Sequence, residues 1–196
     1  ALEVDSMDIS KYEGASILHD LNYAPPSNII NRFTCIIDLG TLEHVFNYPA
    51  ALKHALMCLR PGGHFISATP ANNLMGHGFW QVSPEFFLQA FSSQNGFQLE
   101  KLILADQYQE SPWYEYNLSM LPTTLQSRWN QPILHSPSYL MAVARKKDSF
   151  DSKEKVVQQL SYKSLWESQK IDQVQPQSTN KVDARIWLNY KLKTLF

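Results

Sequence analysis

Residues 33–69 constrain the fold more than any other segment, because they read as a strand, a helix and a second strand with turn residues at each joint. Phe33, Thr34, Cys35, Ile36 and Ile37 form a continuous β-prone run, the pattern of a strand buried on both faces as in a parallel sheet, and Asp38 follows it. Asn47 can cap a helix with Pro49 in its first turn and with Leu52, Leu56 and Leu59 on its apolar side. Arg60, Pro61, Gly62 and Gly63 stop that helix, since proline cannot continue it and glycine can take the turn, and 64–69 is again strand-like.

The rest of the chain extends this alternation. Residues 2–7 and 16–19 are short extended candidates, followed by Asp8 and Asp20. Ser83, Pro84 and Glu85 start a second helix, whose apolar side is Phe86, Phe87, Ala90 and Phe91 and whose stop is Gly96. Residues 97–105 and 139–144 read as two further strands, and the polar, proline-dotted stretch between them suggests an antiparallel finish at one edge. The expected fold is therefore α/β, a doubly wound and mostly parallel sheet with an antiparallel edge strand. A domain boundary is expected near 147, with 148–196 a helical or partly ordered tail whose Trp166 and Trp187 dock on the domain or on a second subunit.

Composition narrows the partners. Seventeen basic and 18 acidic residues give a net charge of −1, which recommends neither nucleic acid nor an anionic membrane surface. No apolar stretch approaches the roughly 20 residues of a spanning helix, and no secretory pattern opens the chain. Cys35 and Cys58 lie in apolar runs as small hydrophobes, so a reducing, cytoplasmic setting and a small-molecule substrate are expected.

In an open α/β sheet, ligands bind outside the C-terminal strand ends. Asp8, Asp20 and residues 38–44 all fall at such ends, and carboxylates there suit ribose hydroxyls and an adenine amino group. Residues 33–69, FTCIIDLGTLEHVFNYPAALKHALMCLRPGGHFISAT, resemble the class I S-adenosylmethionine (SAM)-dependent methyltransferases between their fourth and fifth strands, with the "LEH" turn and the "LRPGG" turn in place. MDISKYEGASILHDLN at 7–22 is similar to that family's second and third strands. The resemblance covers about residues 1–145. It implies a Rossmann-like fold and SAM as cofactor, with Asp8 at the ribose, Asp20 and Leu21 at the adenine, and Asp38, Gly40 and Thr41 beneath the sulfonium end. The family's first strand and its G-x-G-x-G loop are not within residues 1–196, so the chain is expected to be a fragment. Its missing part would take on the order of 60 to 100 upstream residues, and without it SAM binding is expected to be weak.

Residues 70–83, PANNLMGHGFWQVS, combine two amides, a histidine between glycines and a tryptophan after the fifth strand. Asn72, Asn73 and Trp80 suit a hydroxyl-rich, sugar-like acceptor. An imidazole titrates near neutral pH, so His77 is a candidate general base, with His44 a second candidate catalytic group. The opposite reading leaves Asn72 and Asn73 satisfying a tight turn and His77 and Trp80 packing under the lid. No histidine pair has the helical i, i+4 spacing of a zinc site, so no metal is expected. Trp113, Tyr114 and Tyr116 read as core. The expected function is methyl transfer to an oxygen or nitrogen of a small acceptor. The alternative is a non-catalytic methyltransferase-like module that binds a partner, and a nicotinamide dehydrogenase would not explain the "LEH" and "RPGG" pairing.

Overall fold

The computed structural model describes residues 3–108, 113–119 and 134–147. The tail, with Trp166 and Trp187 and the expected subunit contact, lies outside the described residues. The strands are β1 (Met7–Asp8), β2 (Ile17–Leu18), β3 (Phe33–Asp38), β4 (Leu59–Asn72), β5 (Phe97–Asp106), β6 (Tyr114–Glu115) and β7 (Ser138–Lys146). Helix α1 (Tyr48–Cys58) lies between β3 and β4, and α2 (Pro84–Ala90) between β4 and β5. Strands β1 and β2 form a small parallel sheet, and the others a five-stranded sheet in the order β3-β4-β7-β5-β6. The fold is α/β with β3 parallel to β4, and β7 antiparallel to both β4 and β5. The 139–144 strand, expected to finish the sheet antiparallel at one edge, is β7: it does run antiparallel, but it lies inside the sheet between β4 and β5, and the margin beyond β5 is β6, a two-residue antiparallel strand that the sequence reading does not anticipate.

The core follows from period-two alternation. In β4, Phe65, Ser67 and Thr69 are buried while Ile66 and Ala68 are half-buried, and β7 repeats this with Leu140, Ala142 and Ala144 against Met141 and Val143. Leu52 and Leu56 of α1 and Phe87 of α2 pack with Phe91 on the buried face. There Phe87 stacks on Phe91 at 5.5 Å between ring centroids, and Phe97 and Phe65 approach Phe91 edgewise or tilted at 5.5 and 5.6 Å.

Several local expectations are corrected. Strand β3 is not buried on both faces: it is the sheet margin, with Cys35 exposed and Ile37 61% exposed. Cys58 alone behaves as a buried hydrophobe. Helix α1 ends at Cys58, because Leu59 already pairs with Phe33; the ladder then skips to Cys35 opposite His64, so residues 60–63 form a bulge within β4. Asn47 and Ser83 do occupy the N-cap positions, but neither side chain makes a capping hydrogen bond. Trp113 and Tyr114 are exposed, and of that aromatic cluster Tyr116 alone packs on the core.

Lys146 closes the end of α1. Only 2% exposed, it donates from Nζ to the Leu56 carbonyl at 2.8 Å, to Asn31 Oδ1 at 3.0 Å and to the Leu59 carbonyl. A cation at a helix C-terminus is well placed for the unpaired carbonyls, yet burial holds this amine down to about 8. Between about pH 8 and 10.5 the unfolded chain therefore keeps a proton that the folded chain has released, and the group contributes stability that rises with pH. Lys146→Met removes that dependence. Denaturant unfolding of both proteins is expected to show the stability of the native chain relative to the variant rising as pH climbs through this window; a constant difference would rule the titration out.

Candidate functional site

Two acidic strand ends lie side by side. Asp8 closes β1, and Asp20 follows β2, which pairs with β1 in parallel through Met7–Ile17 and Asp8–Leu18. Asp8 Oδ1 accepts from the Ser10 N–H at 2.7 Å and the Ser10 hydroxyl at 3.1 Å. Asp20 Oδ1 accepts from the Asn22 N–H at 2.9 Å and Asn22 Nδ2 at 2.8 Å, and these bonds hold its carboxyl below the usual range. One oxygen of each carboxylate thus sets its own turn. Leu21 packs on the core, and its carbonyl lies 2.8 Å from His54 Nδ1, which makes Nδ1 the protonated nitrogen and ties this turn to α1.

Asp38 plays a different part from Asp8 and Asp20. It is 6% exposed, and both its oxygens are engaged: Oδ1 by the Thr41 and Leu42 N–H groups at 3.1 and 3.2 Å, Oδ2 by the Ser67 hydroxyl at 3.2 Å. Burial pushes its carboxyl up, those bonds oppose the rise, and the neighbouring Glu43 adds to it. This cap folds the chain into the turn that carries Gly40, Thr41, Glu43 and His44. Gly40 has φ +102°, and a Cβ there would sit 3.2 Å from Glu43 Oε1, so the backbone passes directly over the Glu43 carboxylate.

The loop after β4 folds onto this turn. The Phe79 N–H donates to the Glu43 carbonyl at 2.8 Å, and Trp80 Nε1 donates to the Phe46 carbonyl at 3.1 Å. Gly78, at φ +68°, would place a Cβ 3.0 Å from Glu43 Cγ. The loop therefore brings His77 to Glu43 and His44: His77 Nε2 lies 3.6 Å from Glu43 Oε1, and the two imidazole centroids are 5.1 Å apart. The His77 side chain is 44% exposed, whereas Glu43 is fully buried and neither of its carboxylate oxygens has a hydrogen-bond partner.

His77, His44, Gly40 and Thr41 are thus brought to one surface by the 38–44 turn and the loop. The donors of Asn73 and Trp80 are already spent. Asn73 Nδ2 bonds to the carbonyls of Leu134 and Ser136 at 2.9 and 3.0 Å, so it latches the loop to the segment before β7. Trp80 packs on Tyr48 at 6.1 Å. Asn72, at the end of β4, is exposed. Glu43, a charged side chain buried in the "LEH" turn, has no site role in the sequence reading, in which it and His44 could simply start the next helix. Its sequence signals are its place in the "LEH" turn and its adjacency to His44.

Comparison with known proteins follows the same lines. The family described as "Methyltransferase domain" matches residues 3–121. No curated protein matched the chain. Among solved structures, a putative methyltransferase from Bacillus halodurans C-125 is 13% identical with a TM-score of 0.42, over 70% of this chain and 75% of that one. A putative S-adenosylmethionine-dependent methyltransferase from Listeria monocytogenes is 12% identical with a TM-score of 0.41, over 72% of this chain and 79% of that one. The [4+2]-cyclase SpnF is 14% identical with a TM-score of 0.44, over 66% of this chain and 56% of that one.

Proposed function

Because the chain belongs to the family of methyltransferase domains, we propose that it serves SAM-dependent methyl transfer to an oxygen or nitrogen of a small, hydroxyl-bearing acceptor. The observation that carries this reading is the pair of acidic ends on adjacent parallel strands, Asp8 on β1 and Asp20 after β2. Each carboxylate keeps one oxygen outside its own turn, and such a pair fits the nucleoside half of SAM, which offers ribose hydroxyls and an adenine amino group as donors. When bound, the cofactor supplies an electrophilic methyl group on a positively charged sulfur.

The chain's own residues have three tasks in this reading. Asp8 orients the ribose while Asp20 and Leu21 border the base. Asp38 holds the turn on which Gly40 and Thr41 approach the cofactor's reactive end, and Gly40 lets the backbone come close because it carries no side chain. His77, with His44 beside it, faces the acceptor, and Glu43 lies behind His77, its Oε1 3.6 Å from Nε2. Asn72 is the polar side chain at the strand end available to an acceptor hydroxyl. Most of the rate comes from holding acceptor and methyl in line, with proton removal adding to it.

Binding of S-adenosylhomocysteine, followed by ligand-observed NMR, tests the cofactor half. Asp8→Ala and Asp20→Ala are each expected to weaken it by about tenfold, the scale of one charge-assisted hydrogen bond. Binding unaffected by both substitutions would remove the cofactor assignment.

A further inference from the structure

Glu43, His44 and His77 each offer one ligand atom, and the three atoms lie within 4.8 Å of one another. The electrostatics of Glu43 call for a cation there. Its side chain is 1% exposed, its two oxygens accept no hydrogen bond, and among the described residues the basic side chain beside it is the His77 imidazole, 3.6 Å away. Asp38, buried nearby on the same turn, is satisfied by three donors. A carboxylate buried without donors is costly unless a cation pairs with it.

We infer that Glu43, His44 and His77 form a binding site for a divalent first-row transition-metal ion, with its remaining coordination positions open to the acceptor. Two imidazoles and one carboxylate are a donor set suited to zinc, iron, cobalt or manganese and poorly suited to calcium. With metal–ligand bonds of about 2.1 Å, ligand atoms in a tetrahedral arrangement stand about 3.4 Å apart. Glu43 and His77 already approach that spacing at 3.6 Å, and His44, whose ring is exposed, closes the remainder by rotation. Glycine at 40 and 78 leaves room for the chain on either side of the Glu43 carboxylate. The site deepens the methyl-transfer reading and rests on it for its purpose: a cation here would bind an acceptor hydroxyl and lower its pKa, with His77 acting as a ligand and not as a free base.

Calorimetric titration of the chelator-stripped 196-residue chain with Zn²⁺ tests this without any turnover, and the visible spectrum of the Co²⁺ form reports the coordination. Saturable binding of one ion per chain is expected, weakened by at least about tenfold in each of Glu43→Gln, His77→Ala and His44→Ala. His64→Ala, which alters a separate His64–Glu100 pair, is expected to bind as the native chain does. Because His44 and His77 are exposed, their variants keep the test decisive even if Glu43→Gln does not fold. Absence of saturable binding, or affinity unchanged in His44→Ala and His77→Ala, would overturn the site. Either outcome leaves S-adenosylhomocysteine binding at Asp8 and Asp20 untouched, so failure of the metal site and failure of the methyltransferase reading are separately visible.

Discussion

His77→Ala, in a catalytically competent protein carrying this chain, is expected to lower turnover by about two to four orders of magnitude while S-adenosylhomocysteine affinity stays nearly constant. The reason is positional. His77 reaches Glu43 and His44 through the loop after β4, while Asp8 ends β1 and Asp20 follows β2 in the separate two-stranded sheet. In the proposed reading its loss removes an interaction with the reacting acceptor and none with the nucleoside. Formation of S-adenosylhomocysteine against a panel of hydroxylated acceptors gives the measurement. If the imidazole takes the proton itself, the native activity is insensitive to chelator. If it holds a cation, chelator reproduces the loss and added metal restores the native protein but not His77→Ala. A histidine that only packs the loop would lower thermal stability or raise the acceptor's KM, with turnover little changed.

The backbone that builds this surface was more legible in the sequence than its side chains. The β-run at 33–37, the helix and the proline–glycine turn specify a parallel crossover through local signals, and β3, α1 and β4 follow in that order. Their boundaries moved where pairing overrode propensity: Leu59 fits the helical apolar stripe, but its backbone is taken by Phe33. Burial of β3 could not be read from its composition, because an apolar run looks the same at the margin of a sheet as within it. In the loop, the residue types of Asn73 and Trp80 suggested ligands, yet their donors are satisfied by backbone carbonyls that local sequence cannot identify. The Glu43, His44 and His77 cluster was missed for a related reason. A search for helical i, i+4 spacing finds ligands held on one element, whereas this grouping exists only because Phe79 bonds back to the Glu43 carbonyl.

Gly63→Ala is expected to be among the most destabilising single changes in the chain, and the neighbouring Gly62→Ala supplies its control. A Cβ on Gly63 would stand 2.8 Å from the Thr34 carbonyl oxygen, 2.9 Å from that of Arg60 and 2.8 Å from Leu59 Cδ1. Two of these neighbours are backbone atoms, one of them on the adjacent strand, so relief requires β3 and β4 to move apart at their bulge. Overpacking of this kind costs about 3 kcal/mol, or roughly 6–12 °C in Tm for a chain of this size. Gly62 has φ +77° with nothing within 4 Å of its would-be Cβ, so alanine there bears only left-handed backbone strain, about 1–2 kcal/mol. Thermal unfolding of the two variants separates contact from conformation, and a Gly63→Ala loss no larger than that of Gly62→Ala would show that the β3–β4 approach yields to the added methyl at little cost. The larger loss also reaches the site. Ser67 on β4 donates to Asp38 at the end of β3, and Asp38 caps the turn that carries Gly40, Glu43 and His44. Spreading at the bulge acts first on the Cys35–His64 pair and reaches the Asp38–Ser67 end along the same ladder, so Gly63→Ala is expected to weaken Zn²⁺ binding at Glu43 below the unfolding temperature, while Gly62→Ala leaves it unchanged.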